Sequence, residues 1–345
     1  MSTTFLVPTG TIIKEYLEEN NISNKELSHK TGLSEKHISN VLNNKCKLTE
    51  EFALKLEKVM PKIDADYWVN YESKYKLAVA REEEMFSIST LDLTSISKRF
   101  LLNDVFKELG LSREQKAIEM LKLLKISDFD QFDNLFFNTN IKFFEDGGEK
   151  EAIAIWLSLC ENEIDIQNDE LDDTPFKKHE LVKNLSTLKM ISNNLNTDES
   201  LIECKQVLNK MGIYLVDCEA VKNCKIRGAL TTYRGKPAIY ISRRYKRHSI
   251  IWFTIFHELS HLILHYNKKE ALISGEKATE KEIAANYYAR NLLICDKEYQ
   301  EFIDNIIITN SSIIDFAKSQ NIAPCFIVDF LHHDKIVDYY KFRKL

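Results

Sequence analysis

Glycine and proline are scarce in this chain, with 9 and 5 residues among 345. Few positions can take a positive φ or stop a helix, which implies long helices and few tight turns. Paired-cysteine patterns are absent too. The seven cysteines, at 46, 160, 204, 218, 224, 295 and 325, are odd in number and contain no Cys-x-x-Cys. They read as reduced, mostly buried thiols of a cytoplasmic protein, not as a disulfide framework. Positive charge is not in excess: the net charge is −5, so any nucleic-acid contact must be local to one segment. No apolar run has the length of a membrane span. The first ten residues, MSTTFLVPTG, lack the basic region and apolar core expected of a signal peptide. What remains is a chain of ordinary hydrophobicity whose length fits two or three domains.

The longest apolar stretch carries the chemistry. Phe253 to His265 read FTIFHELSHLILH, in which His257, Glu258 and His261 spell H-E-x-x-H. Histidines four apart lie about one helical turn from each other, so both imidazoles can face one metal ion. Glu258, beside the first of them, is aimed at a water on that ion. Phe253, Ile255, Phe256, Leu259, Leu262, Ile263 and Leu264 surround them, which suits a helix buried on most sides. Two satisfied core histidines would look the same, but buried histidines need partners, and a metal is the partner this spacing offers.

A catalytic zinc site takes three protein ligands plus water, so a third ligand is needed. Residues 276–294 read EKATEKEIAANYYARNLLI, with Ile283, Ala284, Tyr287, Tyr288, Leu292 and Leu293 as the apolar residues of a second buried helix. Glu282 is the chosen ligand, with Glu280 and Glu276 as rivals nearer the solvated helix start. Asn286, four residues after Glu282, shares its face and can orient a ligand histidine through its amide. His265, one turn beyond His261, is expected to support the site and not to be a fourth ligand.

This pairing resembles the ImmA/IrrE family of metallopeptidases, whose pattern is HELxHxxxH followed by a helix with Glu, three residues, and Asn or Asp. Here it reads His257-Glu258-Leu259-Ser260-His261 with His265, then Glu282-Ile283-Ala284-Ala285-Asn286-Tyr287-Tyr288-Ala289. Ser260 stands where the family usually has glycine. Ala284 stands where it often has a second glutamate; alanine cannot bind metal, so the resemblance leaves Glu282 as the matching ligand. The tail is similar to that of longer fused members: Ile322 to His333 read IAPCFIVDFLHH against a pattern near IAPGIVVGRLQH. His333 matches the tail's histidine and is the candidate second donor to the reaction's oxyanion. Asp329 and Phe330 replace the pattern's Gly-Arg pair.

Residues 1–75 form a separate unit by pattern. Ile12, Ile13, Tyr16 and Leu17 make an amphipathic helix, and Ser23 with Glu26 makes a capping box for the next. Gly32 supplies a positive φ in the following turn. Ser34 caps a third helix, Glu35 to Asn43, with Ile38, Val41 and Leu42 inward. This is a helix-turn-helix arrangement. It resembles the HigA antitoxin type of XRE-family DNA-binding domain, through Pro8-Thr9-Gly10, Ile22 to Leu27, Thr31 to Ser34, Ile38 to Asn43, Ala53 to Glu57 and Tyr67-Trp68. The resemblance implies a third helix in the major groove, with Ser34, Lys36, His37 and Asn40 toward base edges and Lys45 and Lys47 toward phosphate.

Residues 76–205 carry no chemical motif. Phe100-Leu101-Leu102, Ala117, Met120-Leu121 and Trp156-Leu157 read as core stripes of a helical spacer, and Glu161 to Asp173 as a solvated acidic loop. Gly212 to Val216, Gly228 to Tyr233 and Pro237 to Ser242 then read as strands, the last two joined by a hairpin at Tyr233-Arg234-Gly235-Lys236. Ala238 to Ser242 is expected at the sheet edge, where a peptide can pair. Arg243, Arg244, Lys246 and Arg247 read as a solvated helix start and not as a second nucleic-acid patch.

The expected architecture is mainly α with a small α+β, zincin-like domain. It comprises a helix-turn-helix DNA-binding domain at 1–75, a helical spacer at 76–205 and a metallopeptidase domain at 206–345. The resemblances imply a DNA-binding regulator, a homodimer on operator DNA, that is also a Zn²⁺-dependent endopeptidase. His257, His261 and Glu282 would hold the metal, Glu258 would act as general base, and a partner repressor or the chain itself would be the protein substrate. The alternative is an antitoxin-like repressor, with a cognate toxin as partner, whose metal domain only senses or binds. No membrane partner is expected.

Overall fold

The computed structural model describes residues 7–138, 148–168, 171, 174–267, 272–274 and 279–345. Contacts divide the chain into two units, Met1–Leu93 and Thr94–Leu345. The first holds α1 (Thr9–Glu19), α2 (Asn24–Thr31), α3 (Glu35–Leu42), α4 (Glu50–Val59) and α5 (Ala65–Ser89). Hydroxyl caps start three of them. Ser23 accepts from the Glu26 amide at 3.2 Å, Ser34 from His37 at 3.2 Å and Thr49 from Phe52 at 3.3 Å, each satisfying an amide that a helix start leaves over. Half of the capping box expected at Ser23 forms, while the Glu26 carboxylate pairs with Lys30 one turn on, at 2.8 Å. Gly32 ends α2 at φ 70°, the left-handed cap that glycine takes without strain. Ile13, Leu17, Leu27, Ile38, Val41, Phe52, Leu56 and Trp68 close a core of their own. Only Ala65, Trp68 and Ile88 of α5 are buried.

The second unit opens with α6 (Leu93–Arg99), α7 (Leu102–Val105), α8 (Arg113–Leu124), α9 (Gln131–Asn138), α10 (Lys150–Gln167), α11 (Lys178–Ile191) and α12 (Thr197–Asn209). The strands β1 (Tyr214–Asp217), β2 (Gly228–Tyr233) and β3 (Lys236–Ile241) follow, then α13 (His248–Leu264), β4 (Leu272–Ser274) and α14 (Glu280–Leu293). α15 (Asp296–Asn305), α16 (Asn310–Ser319) and α17 (Pro324–His333) complete it. The fold is mainly helical with a small α+β part in its C-terminal region.

Sheet order is β1-β3-β2-β4, with β1 parallel to β3 and the other pairs antiparallel. The strand expected at the edge, β3, is therefore central. Arg234 and Gly235 both take positive φ, 45° and 79°, which permits a two-residue turn and pairs β2 directly with β3. β1 occupies the other side of β3, so β1 and β4 are the edges. Period-2 alternation sends side chains to two faces. Tyr214, Val216, Ala229, Ala238 and Tyr240 pack with Ala152, Trp156 and Cys160 of α10. Leu215, Leu230, Ile239 and Ile241 pack with Leu188, Leu208, Trp252, Ile255 and Phe256.

The first part of the segment expected as a solvated acidic loop, residues 161–167, is helical instead, because α10 continues through Gln167; residues 169, 170, 172 and 173 lie outside the described residues. The end of α10 serves the edge of β1. The Gln167 amide donates to Asp217 O and accepts from Asp217 N, both at 3.0 Å. Asn168 does the same at Leu215, at 3.1 and 3.0 Å. Two side-chain amides thus occupy the ladder positions an added strand would use. The basic run before α13 is exposed or half-buried, and its members pair within the chain: Arg243 with Asp198 at 2.7 Å, Lys246 with Glu219 at 3.1 Å and Arg247 with Asp329 at 2.5 Å, while Arg244 donates to Lys225 O at 2.7 Å. Among the described residues no helix is long and apolar enough to cross a membrane.

Sequence patterning suggested boundaries near 75 and 205, whereas contacts divide the chain once, after Leu93. α11 and α12 share one core with α13. Leu188 of α11 is fully buried there. Leu188→Ala is expected to destabilise the second unit by about 2–5 kcal/mol, read by denaturant unfolding of the full chain. A change of about 0.5 kcal/mol, the size of a surface substitution, would place α11 outside this core.

Candidate metal centre and nucleic-acid face

α13 is apolar on nearly every side: Trp252, Ile255, Phe256, Leu259 and Leu262 are buried, and His257, Glu258 and His261 are buried with them. Such a helix is driven into a core by its own surface. The polar residues it carries must then be satisfied in the interior. Glu282 meets them from α14, whose start is capped by Thr279 accepting from the Glu282 amide at 3.2 Å. Its carboxylate lies 3.1 Å from His257 Nε2 and 3.0 Å from His261 Nε2, and the two Nε2 atoms are 3.0 Å apart. No side chain of the three is more than 7% exposed. These separations approach the ~3.3 Å edge of a tetrahedron built on metal bonds of ~2.0–2.1 Å. Two imidazoles and a carboxylate, beneath a cleft of about 670 Å³ lined by His257, Glu282 and Asn286, fit a divalent metal with one position left for a non-protein ligand.

Electrostatics agree. Burial opposes charge on Glu282, but hydrogen bonds from His257 and His261 outweigh it and hold the carboxyl down at about 2. Burial also opposes a proton on His257, yet Glu282, Glu258 and Asn286 together raise its pKa. A cation entering here replaces that proton as the partner of the carboxylates.

Asn286, one turn after Glu282, lines the same cleft as His257 and contributes to its raised pKa. His265 Nδ1 is 3.1 Å from His261 Nδ1, on the ring edge away from Glu282. Glu280 is exposed, and Glu276 lies outside the described residues. The buried stripe of α14 is not the expected apolar one. Glu282, Ala285, Ala289 and Leu293 are buried, whereas Ile283 and Tyr287 are 57% and 63% exposed. The ligand itself and two alanines face α13, because small side chains let the helices come close enough for Glu282 to reach the histidines.

Glu258 is fully buried. β2 passes so near it that a Cβ at Gly228 would lie 2.6 Å from Glu258 Oε1 and 2.8 Å from Thr254 Cγ2. Gly228 is thus a site residue that motif reading missed; the available signal was a glycine inside a strand pattern, which marks close backbone approach. His333 is not in the donor group. It is exposed at the same cleft, its Nδ1 3.0 Å from Asp334 Oδ1. Asp329, standing where the related tail has glycine, pairs with Arg247 and accepts from Ser249.

In the first unit, Ser34, Lys36, Lys45 and Lys47 are exposed, and His37 and Asn40 are half-buried. Ser34 accepts from the His37 amide, which leaves its O–H and a second lone pair for other partners. The His37 ring sits 5.8 Å from that of Phe52, so only part of it is available to DNA. The Asn40 carbonyl accepts from Lys45 N at 2.8 Å, which fixes the backbone from which Lys45 extends.

Elemental analysis is expected to find about one divalent metal ion per chain, lost in His261→Ala. Glu282→Gln should weaken binding more than Glu280→Gln; the reverse order would move the third ligand. Since the pKa of His257 is raised, its proton is held up to a higher pH than usual and must leave as the ion enters. Affinity is therefore expected to fall as pH drops through that range. Calorimetry in buffers of different ionisation enthalpy reads the released proton, and no release would contradict the assignment.

A family model described as an IrrE N-terminal-like domain, of peptidase type, matches residues 209–309, and a helix-turn-helix family model matches residues 13–68. The first span includes His257, Glu258, His261 and Glu282 and ends before α17; the second includes α2 and α3. None of the curated proteins and none of the solved structures compared matches the chain. The chain thus combines an XRE-type helix-turn-helix domain with an IrrE-like peptidase domain.

Proposed function

We propose that this protein is a cytoplasmic transcriptional regulator whose second unit is a zinc-dependent endopeptidase. One observation carries the reading: His257, His261 and Glu282 converge beside a fully buried Glu258, and a cleft opens over them. Zinc is preferred because three N/O protein ligands and an open position are the make-up of catalytic zinc sites. Bound there, the ion supplies Lewis acidity, lowering the pKa of a water and polarising a peptide carbonyl. The chain's own residues do the rest. Glu258 takes the proton of the attacking water and returns it to the leaving amine. His333 donates to the oxyanion at the cleft. Asn286 and His265 hold the two ligand imidazoles in orientation. Phe253, Phe330 and Tyr287 line the cleft as apolar surface for substrate side chains.

The first unit is assigned to the HigA-type branch and to operator DNA, bound as a homodimer with half-sites about one helical turn apart. Its attachment would concentrate the peptidase at a promoter, which favours a partner repressor or the chain itself as substrate. A metal unit that only senses would not need a carboxylate at Glu258. This reading requires no toxin partner.

Glu258→Gln keeps the side chain's size and removes the base. Metal and DNA binding are expected to survive, while cleavage falls by roughly two to four orders of magnitude. The measurement compares wild type and variant in the native host, by protein fragments and by transcript from the adjacent promoter. Identical outputs, with metal bound and promoter occupied, would leave the metal unit a binding module. On DNA, Lys36→Ala and Asn40→Ala are expected to reduce specific binding, and Lys47→Ala to lower the salt slope by about one. A footprint of the full chain that shows no protected site would sink the DNA half of the reading.

A further inference from the structure

The stripe of α14 that carries Glu282 and Asn286 continues to Arg290. Arg290 Nη1 and Nη2 donate to Asp334 Oδ1 and Oδ2 at 3.0 and 2.6 Å. Its guanidinium lies 4.8 Å from the Tyr299 ring centre and 5.0 Å from that of Phe330. A forked bond made while stacked on aromatic rings is geometry that guanidinium provides and ammonium does not. Asp334 is the C-cap of α17, an end where the helix dipole disfavours a carboxylate. Burial opposes its charge as well, but Arg290 and His333 hold its carboxyl down at about 2. A carboxylate kept at an unfavourable helix end, and gripped there by both Nη atoms of an arginine whose Nε also lies 3.5 Å from Asp296 Oδ1, is fixed in place for the other group it touches. It touches His333, whose Nδ1 lies 3.0 Å from the oxygen that Arg290 Nη1 also reaches. The His333 side chain is 82% exposed, so without that contact its ring would sample several rotamers. It lines the cleft above His257 and Glu282.

We propose that Asp334, clamped by Arg290, is a positioning residue of the peptidase site: it holds the His333 ring by Nδ1 and leaves Nε2 for the substrate. The inference rests on the peptidase reading given above. His333 donates Nδ1–H to Asp334 throughout, and as imidazolium it also donates Nε2–H to the oxyanion. A mere staple between α14 and α17 would use Arg290 and Asp334 in the same way, but it would be indifferent to the state of the His333 ring.

The test uses the full chain, metal-free and ¹⁵N-labelled at histidine. Long-range ¹H–¹⁵N spectra are recorded, with His333 identified by its loss in His333→Gln. In the wild type the neutral His333 ring is expected to carry its proton on Nδ1. In Asp334→Ala and in Arg290→Met the Nε2–H form should take over. Arg290→Met keeps apolar bulk between the rings and covers the case in which Asp334→Ala fails to fold. One tautomer in wild type and both variants would overturn the proposal. On zinc-loaded protein, with labelled denatured casein as probe, kcat is expected to fall about 10- to 100-fold in Asp334→Ala at unchanged KM, and Asp334→Glu should recover part of it. Equal kcat in wild type and Asp334→Ala, beside loss in Glu258→Gln, overturns the positioning role and leaves the peptidase reading standing. Equal behaviour of wild type and Glu258→Gln, on casein and in the native host, overturns the peptidase reading and this inference with it.

Discussion

Everything in the second unit answers to the meeting of one carboxylate with two imidazoles in its interior. Glu282, His257 and His261 are each almost wholly buried. Apart from one another, each would be a polar or charged group stranded away from water, at a cost of several kcal/mol. Together they satisfy one another at about 3 Å and offer a cation three donors. The arrangement demands that α13 and α14 approach closely and that β2 pass beside Glu258. Ala285 and Ala289 permit the first, and the missing side chain of Gly228 permits the second. Small residues here are conditions of the chemistry.

The sheet is the platform that makes those approaches reproducible. Because both its faces are covered, by α10 on one side and the α11–α17 core on the other, its strands are held in place and in register. The edge of β1 is occupied by Gln167 and Asn168, which lowers the risk of pairing with another chain there. On this platform the site draws on β2, α13, α14 and α17, and α14 alone supplies Glu282, Asn286 and Arg290 at successive turns of one face.

The DNA-binding unit closes a core of its own, from Ile13 to Trp68. Its helices α1 to α5 are thus held by side chains of the first unit alone. A regulator built this way separates where it sits from what it does there. Control of one by the other, in the proposed function, lies in what is cut and not in a shared core.

Local periodicity was enough for much of this. A helix turns once in 3.6 residues, so H-E-x-x-H by itself puts His257 and His261 on one face, and Ser23, Ser34 and Gly32 mark the helix ends of the first unit by their own chemistry. The helical class, the hairpin at Arg234-Gly235 and the residues able to hold a metal were legible for that reason. Other features were not, because they depend on what lies across space. Position near the helix start and the family pattern favoured Glu282 over Glu280, but the burial of one and the exposure of the other come from the packing of α14. Strand order put β3 in the centre, since it reflects which chain segments can close against each other and not any property of residues 238–242. Ile283 and Tyr287 are apolar yet exposed, because the ligand and two alanines needed the inward face. Gly228, Arg290 and Asp334 carry no motif; their contacts join residues distant in the chain. The sequence by itself determined which residues can share a face, through the fixed period of its helices and strands. Tertiary structure decided which faces meet, because that is settled by burial and close approach over the whole chain.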